Sequence, residues 1–369
     1  MKRIKAHKYR IYPTKKQQEL FEKTFGCVRF VWNKNVECFD SFGSENEIEF
    51  KTSTELRRDY EFLKEVSAAA LQQKEMDFKL YKKNFFKKVK EGKASKYRLN
   101  FKSKKLYNNY RLPNQKFSIV ENRIKLEKVG YVKFVEDRVI PLNSKLLSIT
   151  ISKNRSNQYF ASVSFEMEVE VLEKTNKKVG IDLGLKMFAT QSDNVEVENP
   201  RFLINNHDKI KKLQKALSRK QKGGRRREKC RLKLAREHQK VSNRRQYFLH
   251  NYTTFLVRNY DFIAIEDLAV ENMRKNRRLA KSISDVSWSE FRRMLTYKCN
   301  WFEKELVVVD RFYASSKTCR CGVKNESLEL KDRIWTCSSC GSTNNRDLLA
   351  SQNILKEALR ITTAGVEAV

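Results

Sequence analysis

Proline is nearly missing from this chain of 369 residues, which has 4, and glycine is sparse at 11. A chain so poor in the two strongest structure breakers is not a low-complexity or disordered polymer, and it has room for long regular elements, many of them helical. No run of eighteen apolar residues occurs, and the N-terminus MKRIKAHKYRIYP carries charges where a secretion signal needs an apolar stretch. These absences predict a soluble, cytoplasmic protein that crosses no membrane. Acidic residues are also in deficit: 44 Asp and Glu face 78 Lys and Arg, a formal net charge of +34. Such an excess concentrates polyanions, so nucleic acid is the first partner to consider and an anionic membrane surface the second. At roughly 150 residues per domain, the length allows two or three domains.

Three regimes follow one another along the chain. Residues 3 to 12 alternate as a strand, and PTKKQQELFEKTFGCVRFVW then starts a helix, with Thr14 as N-cap and Gln17 completing a capping box. Helical spacing continues through SAAALQQKEMDFKLYKKNFFKKVKEG, where Leu71, Phe78, Phe85 and Phe86 make an apolar stripe that reads as bundle core. From about Lys116 to Val171 the period changes to two, most clearly at Tyr159, Ala161, Val163, Phe165 and Met167, and KNRSNQ marks a hairpin turn. With the opening strand, this segment predicts a small barrel around which the first helices are inserted. The third regime begins at KKVGIDLGLKMFATQSDNVEV and runs into a basic stretch broken at Gly223 and Gly224, which predicts two antiparallel helices. Between Ser218 and Gln246, thirteen Lys or Arg face two acids. A solvated helix face does not require that bias, so a phosphate-facing ridge is expected, with Arg225, Arg226 and Arg227 among its contacts.

Three acids stand out because of what precedes them. In KVGIDLGL an apolar strand carries Asp182 between Ile181 and Leu183, followed by Gly184, where the chain must turn or admit a close backbone. In YDFIAIEDLAV a second buried-strand pattern ends at Glu266 and Asp267. In NNRDLLASQNI, Asp347 opens an amphipathic helix with Leu348, Ser351 and Ile354 packing behind it. A single such acid is most often a helix cap or half of a surface pair. An acid at the end of an apolar strand, however, must be paired, hydrogen bonded or metal bound, because a lone buried charge is too expensive. Two strand ends and one helix start together read as a single site able to hold two Mg²⁺ for phosphodiester cleavage.

Of the eight cysteines, Cys27, Cys38, Cys230 and Cys299 are scattered, whereas Cys319, Cys321, Cys337 and Cys340 cluster. Four clustered thiols suit one tetrahedral, structural Zn²⁺ better than four independent core positions. Cys337 and Cys340 have the usual two-residue spacing, but only Arg320 separates Cys319 from Cys321, and no histidine lies nearby to substitute. The first knuckle is therefore expected to be strained, rearranged or lost.

The order Asp, Glu, Asp over strand, strand and helix resembles the RuvC form of the ribonuclease H fold. Together with FGCVRFVWNKNV, VGIDLGLKMFAT, IAIEDLAVENMRKNRRLAKSISDVSW, YASSKTC and DRIWTCSSCG, the chain as a whole resembles TnpB, the insertion-sequence-encoded relatives of type V CRISPR nucleases. The resemblance implies a catalytic and Mg²⁺-binding trio at Asp182, Glu266 and Asp347, with Asp267 as a neighbour, and a Zn²⁺ site at Cys319, Cys321, Cys337 and Cys340. It adds nucleic-acid contacts at Arg274, Lys275, Arg277, Arg278 and, on a helix facing the target-adjacent duplex, Gln72. Leu349 stands where many members have Asn, so a hydrogen bond beside Asp347 is expected to be absent.

The implied fold is a multidomain α+β protein: a wedge-like β-barrel at 1–12 and 116–174, and an inserted helical recognition domain at 13–115. A RuvC-like nuclease domain at 175–315 and 344–369 and a zinc-binding insertion at 316–343 complete it. The implied activity is RNA-guided cleavage of double-stranded DNA next to a short target-adjacent motif, by a monomer carrying guide RNA from its own element, nucleoid-associated in a prokaryote. Guide-dependent binding without cleavage and guide-free transposition or resolution are the alternatives. Loss of a carboxylate would mark the first of these, and none is lost.

Overall fold

The computed structural model describes residues 2–40, 50–92, 99–169, 172–329 and 331–366; the expected end of the alternating region at Val171 lies outside them. Two compact units emerge, 2–168 and 169–366, each with its own sheet and core. No helix among the described residues is long and apolar enough to cross a membrane.

The first unit opens with strand β1 (Lys2–Tyr12), whose alternation buries Tyr9 and Ile11. Helix α1 (Lys15–Asp40) then starts at the predicted capping box: Thr14 N donates to Gln17 Oε1 at 3.0 Å, and Gln17 N donates to Thr14 Oγ1 at 3.4 Å. Helices α2 (Ser53–Asp59) and α3 (Ala68–Lys90) follow. Helix α3 buries Leu71 and Phe78 and half-buries Phe85 and Phe86, as its apolar stripe predicts.

Six further strands complete the unit: β2 (Asn109–Pro113), β3 (Phe117–Val120), β4 (Arg123–Leu126), β5 (Gly130–Val135), β6 (Lys145–Lys153) and β7 (Tyr159–Glu168). The sheet thus begins at Asn109, before Lys116 where alternation becomes visible, because five residues are too few to display a period. The strand order is β2-β6-β7-β1-β5-β4-β3, antiparallel throughout. Strands β2 and β3 lie at opposite edges, yet only Asn114–Lys116 joins them. Three residues reach only about 10 Å. The sheet must therefore curl until its edges nearly meet, which makes it the near-closed barrel expected. Ile124, Val132, Ile149, Ile151, Ala161 and Val163 share its core with Phe21 and Phe25 of α1.

The second unit begins with an antiparallel meander, β8 (Lys178–Leu183), β9 (Met187–Gln191) and β10 (Glu196–Glu198). Helices α4 (Phe202–Asn205), α5 (His207–Ser218) and α6 (Arg225–Asn259) lead to β11 (Phe262–Glu266). Then come α7 (Val270–Met273), α8 (Ala280–Val286), α9 (Trp288–Phe302) and β12 (Glu305–Val309). A hairpin of β13 (Ile334–Thr336) and β14 (Thr343–Asn345) precedes the last helix, α10 (Arg346–Val366). The sheet order is β10-β9-β8-β11-β12, with β8, β11 and β12 parallel.

The helix pair predicted from Gly223 and Gly224 is present. Lys209 meets Glu237 at 3.1 Å and the Cys230 thiol lies 3.7 Å from the Leu213 carbonyl, a register that runs antiparallel. Toward the sheet, α6 presents Leu249, Tyr252, Thr253, Leu256 and Val257, spaced as one helix face. That face covers only the C-terminal part of the helix, so its basic N-terminal half keeps mostly to solvent.

Period two decides what each parallel strand shows to each side. Val179, Ile181, Ile263 and Ile265 join the core that contains Leu249 and Leu256 of α6 and Phe291 and Leu295 of α9. On the other side, Phe262 and Ala264 pack with Ile354 and Ala358 of α10. Gly180 falls on this second side, where a Cβ would lie 2.2 Å from Ser351 O and 2.7 Å from Leu355 N. Only glycine lets the helix rest on the strand backbone there. Sequence reading assigned a turn or close approach to Gly184. The close approach belongs to Gly180, and Gly184 makes the turn, donating its N–H to Phe188 O at 3.3 Å.

Candidate active site and metal centre

The alternation that puts Gly180 and Ala264 beneath α10 puts Asp182 and Glu266 on the same side, two residues further along. Ile181 is in register with Ile265, so the two acids are neighbours at the C-terminal ends of adjacent parallel strands, which lie about 4.8 Å apart. Asp347 sits in the first turn of α10, one turn before the Ser351 carbonyl that meets Gly180. Burial, then the charges of Asp347 and Glu266, push the Asp182 carboxyl up from 3.8 to about 7, against an opposing pull from Arg346 and Arg333. Glu266 is also raised, by burial and then by Asp267. Crowded, desolvated carboxylates of this kind call for a cation.

Arginines occupy the margins of this cluster. Arg333, from the segment leading into β13, donates through Nη1 to both oxygens of Asp347, at 2.9 and 3.0 Å. Asp267 is held between Arg292 of α9 and Arg311 beyond β12, whereas Glu266 at the strand end has no ion pair among the described residues. Sequence reading missed all three arginines. In a chain with 78 basic residues, a lone arginine far along the chain from its acid carries no signal.

The four clustered cysteines do converge. Their Sγ atoms all lie within 4.8 Å of one another, and among the described residues they are the group whose ligand atoms gather in this way. Cys319 to Cys340 is 3.6 Å and Cys321 to Cys337 is 3.7 Å. A tetrahedron with metal–sulfur bonds of about 2.3 Å has edges of about 3.8 Å, so the quartet fits Zn²⁺. The short Cys319–Cys321 spacing has therefore not destroyed the knuckle. Gly322 takes a φ of +91° and donates to Cys319 O at 2.9 Å, while Cys319 N donates to Val323 O at 2.8 Å; this tight turn swings both thiols inward. The Ser342 hydroxyl, 3.3 Å from Cys319 Sγ, helps bring that thiol down to about 6.

The cysteine unit also sits on the start of α10. Leu349 is 2 % exposed and packs with Cys319, Leu328, Trp335 and Cys337. Asn353 Nδ2 donates to Ser315 O at 2.8 Å and Thr318 O at 2.6 Å, and Arg346 N donates to Arg333 O at 2.8 Å. Leucine at 349 thus serves the apolar contact between this unit and the helix. Leu348, expected to pack behind Asp347, is only half-buried, whereas Ser351 and Ile354 are fully buried.

Of the expected nucleic-acid contacts, Gln72, Arg225, Arg226, Arg274, Lys275, Arg277 and Arg278 are exposed. Arg227 is not free in the same sense. Its Nη1 donates to Leu217 O at 2.5 Å and Lys220 O at 2.9 Å, closing the C-terminus of α5.

A Streptomyces pristinaespiralis protein named "Putative RNA-guided DNA endonuclease" is 36% identical over 376 residues, spanning 99% of this chain and 92% of that protein. The chain belongs to the TnpB family, also called IS605 OrfB. An Escherichia coli K12 protein, "Putative RNA-guided DNA endonuclease InsQ", is 29% identical over 99% of the chain and 95% of its own length. The OrfB_IS605 profile, described as "Probable transposase", matches residues 162–277, which include Asp182 and Glu266. The "Cas12f1-like, TNB domain" profile matches 288–354, which include the four cysteines and Asp347. A family helix-turn-helix profile matches 1–37, where this chain has β1 and most of helix α1. The fold is also similar to that of the protein in a Cas12f1–sgRNA–target DNA complex, with a TM-score of 0.55 at 12% identity over 96% of this chain and 98% of that one.

Proposed function

We propose that this chain is an RNA-guided DNA endonuclease that cleaves phosphodiester bonds at Asp182, Glu266 and Asp347. The observation that carries this reading is the placement of two half-buried acids side by side on parallel strand ends, beneath a helix whose first turn carries a third. Relatives matched over nearly the whole chain bear that activity in their names, and the fold is shared with a protein solved on guide RNA and target DNA. Guide RNA from the chain's own element and double-stranded DNA are the partners that follow. The strand order, third-second-first-fourth-fifth within the unit, accords with a ribonuclease H-like nuclease. In this scheme the barrel and its inserted helices serve recognition, and the cysteine unit is an insertion into the nuclease.

The donor set suits Mg²⁺: three hard carboxylates, two of them with burial and neighbouring charge opposing ionisation. When bound by Asp182, Glu266 and Asp347, two Mg²⁺ would acidify a water and offset charge on the leaving oxygen. The chain's own part is positioning. Asp182 would release its proton to water on taking up a cation, and Arg333, once displaced from Asp347, would be free to meet a phosphate. Asp267 keeps Arg292 and Arg311 beside Glu266 without joining the trio.

Asp182→Ala, Glu266→Ala and Asp347→Ala should each lower cleavage by roughly a thousandfold or more, while guide and target binding stay within about threefold, since these groups act on the chemical step. Cleavage and gel-shift assays on the same preparations decide this. Full cutting by the Glu266 variant would move the site elsewhere. For the helical ridge, Arg225→Gln with Arg226→Gln should weaken binding to every sequence alike and flatten its salt dependence by about one unit of slope per lost phosphate contact. An unchanged slope would return the ridge to a solvated face.

A further inference from the structure

Two aromatic residues follow β12 and meet opposite fates. Tyr313 packs against the cluster of Phe262, Val309, Ile354 and Ala358, whereas Phe312 is 88% exposed. The exposed ring is not on a frayed loop. Phe312 N donates to Asp310 Oδ1 at 2.8 Å, Tyr313 N to Asp310 O at 3.1 Å and Ser315 N to Tyr313 O at 2.8 Å, and the buried Asn353 amide of α10 holds Ser315 O at 2.8 Å. The backbone therefore presents the ring to solvent on a pinned turn.

Its location is specific as well. Val309, the register partner of Glu266, is three residues upstream, so the Phe312 backbone lies within about 11 Å of that strand end. The adjoining Arg311 is paired with Asp267, the residue next to Glu266, and Arg292 pairs with the same acid. An apolar ring beside fixed guanidinium groups matches a ligand that alternates charge with flat apolar faces. An unpaired nucleic-acid strand has that character, whereas a duplex hides its base faces.

We propose that Phe312 is a stacking platform for a nucleobase of the unpaired DNA strand that enters the carboxylate site. This rests on the endonuclease reading and assigns part of its substrate grip. Stacking accepts any base, which suits a site that is not itself the reader of sequence.

The test uses the full chain with its copurified RNA and a target carrying 2-aminopurine beside the cut position. In an Asp182→Ala background, the probe's fluorescence should be quenched with Phe312 or Phe312→Trp and restored by Phe312→Ala. In the cutting chain, Phe312→Ala should raise the concentration of single-stranded DNA giving half-maximal cleavage by about 10- to 100-fold and leave the maximal rate within about twofold. Phe312→Trp should retain both values. Unchanged quenching and affinity in Phe312→Ala overturn the proposal, as does a Trp variant that fails like Ala. If the parent chain binds DNA without cutting it, the nuclease reading fails, and the quenching comparison still decides the stacking role.

Discussion

The two candidate metal sites of the second unit differ in how far the protein alone completes them. The thiols of Cys319, Cys321, Cys337 and Cys340 already stand within 4.8 Å of one another, gathered by two tight turns within 22 residues of chain. The carboxylates arrive from β8, β11 and α10, more than 160 residues apart at the extremes, and one of them is turned onto Arg333. Local turns can preset a structural site because little chain must be ordered to close it. A site assembled from three distant elements depends on how those elements pack, and crowded carboxylates repel one another unless a cation offsets them. The cysteine unit links the two, since it supplies Arg333 to Asp347 and covers Leu349 at the start of α10.

Gly180→Ala breaks the comparison hardest. Its Cβ would meet backbone atoms of α10 at 2.2 and 2.7 Å, which a flexible side chain cannot relieve, so the helix must move. Overpacking of this kind costs about 1–3 kcal/mol or more, and a shift of about 1 Å at a reacting group can cost on the order of a hundredfold in rate. Thermal melts and cleavage assays should show both losses while zinc content stays unchanged, because the cysteine turns do not involve Gly180. Wild-type cutting by this variant would mean that the contact between Gly180 and α10 does not set the position of Asp347.

Removing the thiol site should act more mildly and from the other side. We expect about one Zn²⁺ per purified chain, and Cys340→Ser should lose it and loosen the seat of α10. Cleavage should then fall by about 10- to 100-fold through misplacement of Asp347, with guide binding less affected. Metal analysis finding no zinc, together with a Cys340→Ser chain that cuts normally, would show that Leu349 and its neighbours position the acid unaided.

Much of this was legible because it is local. The capping box at Thr14, the period-two strands, the helix break at Gly223 and the three acids each follow from a short window of sequence. What escaped was pairing between windows. Gly180 looks like any strand glycine until α10 lies on it, and Arg333 looks like any of many basic residues until it meets Asp347. The Cys319–Cys321 spacing is a related case: by itself it leaves open a strained, rearranged or lost knuckle, and the left-handed Gly322, which makes so short a turn possible, rules out the loss. Arg227 counted as a phosphate contact by composition, although the end of α5 already claims it.

The smallest effect expected is one of stability, and it isolates the repulsion that distinguishes the carboxylate site. In the metal-free folded chain, the Asp182 carboxyl is raised from 3.8 to about 7. Between those values the folded state keeps a proton that the unfolded state has lost, so stability falls as pH rises from about 4 to 7 and is level above that. Asp182→Asn removes the penalty without changing the shape of the side chain. Melts in a chelator should therefore find the variant and wild type alike near pH 4, with the variant more stable at pH 8 by on the order of 2–4 kcal/mol. Adding Mg²⁺ at pH 8 should bring wild type back toward the variant, since a ligand that binds only the folded state offsets the repulsion, and should shift the variant less. If the two chains melt together at every pH, the carboxylates are not crowded in solution, and the contrast with the thiol site reduces to one of sequence separation alone.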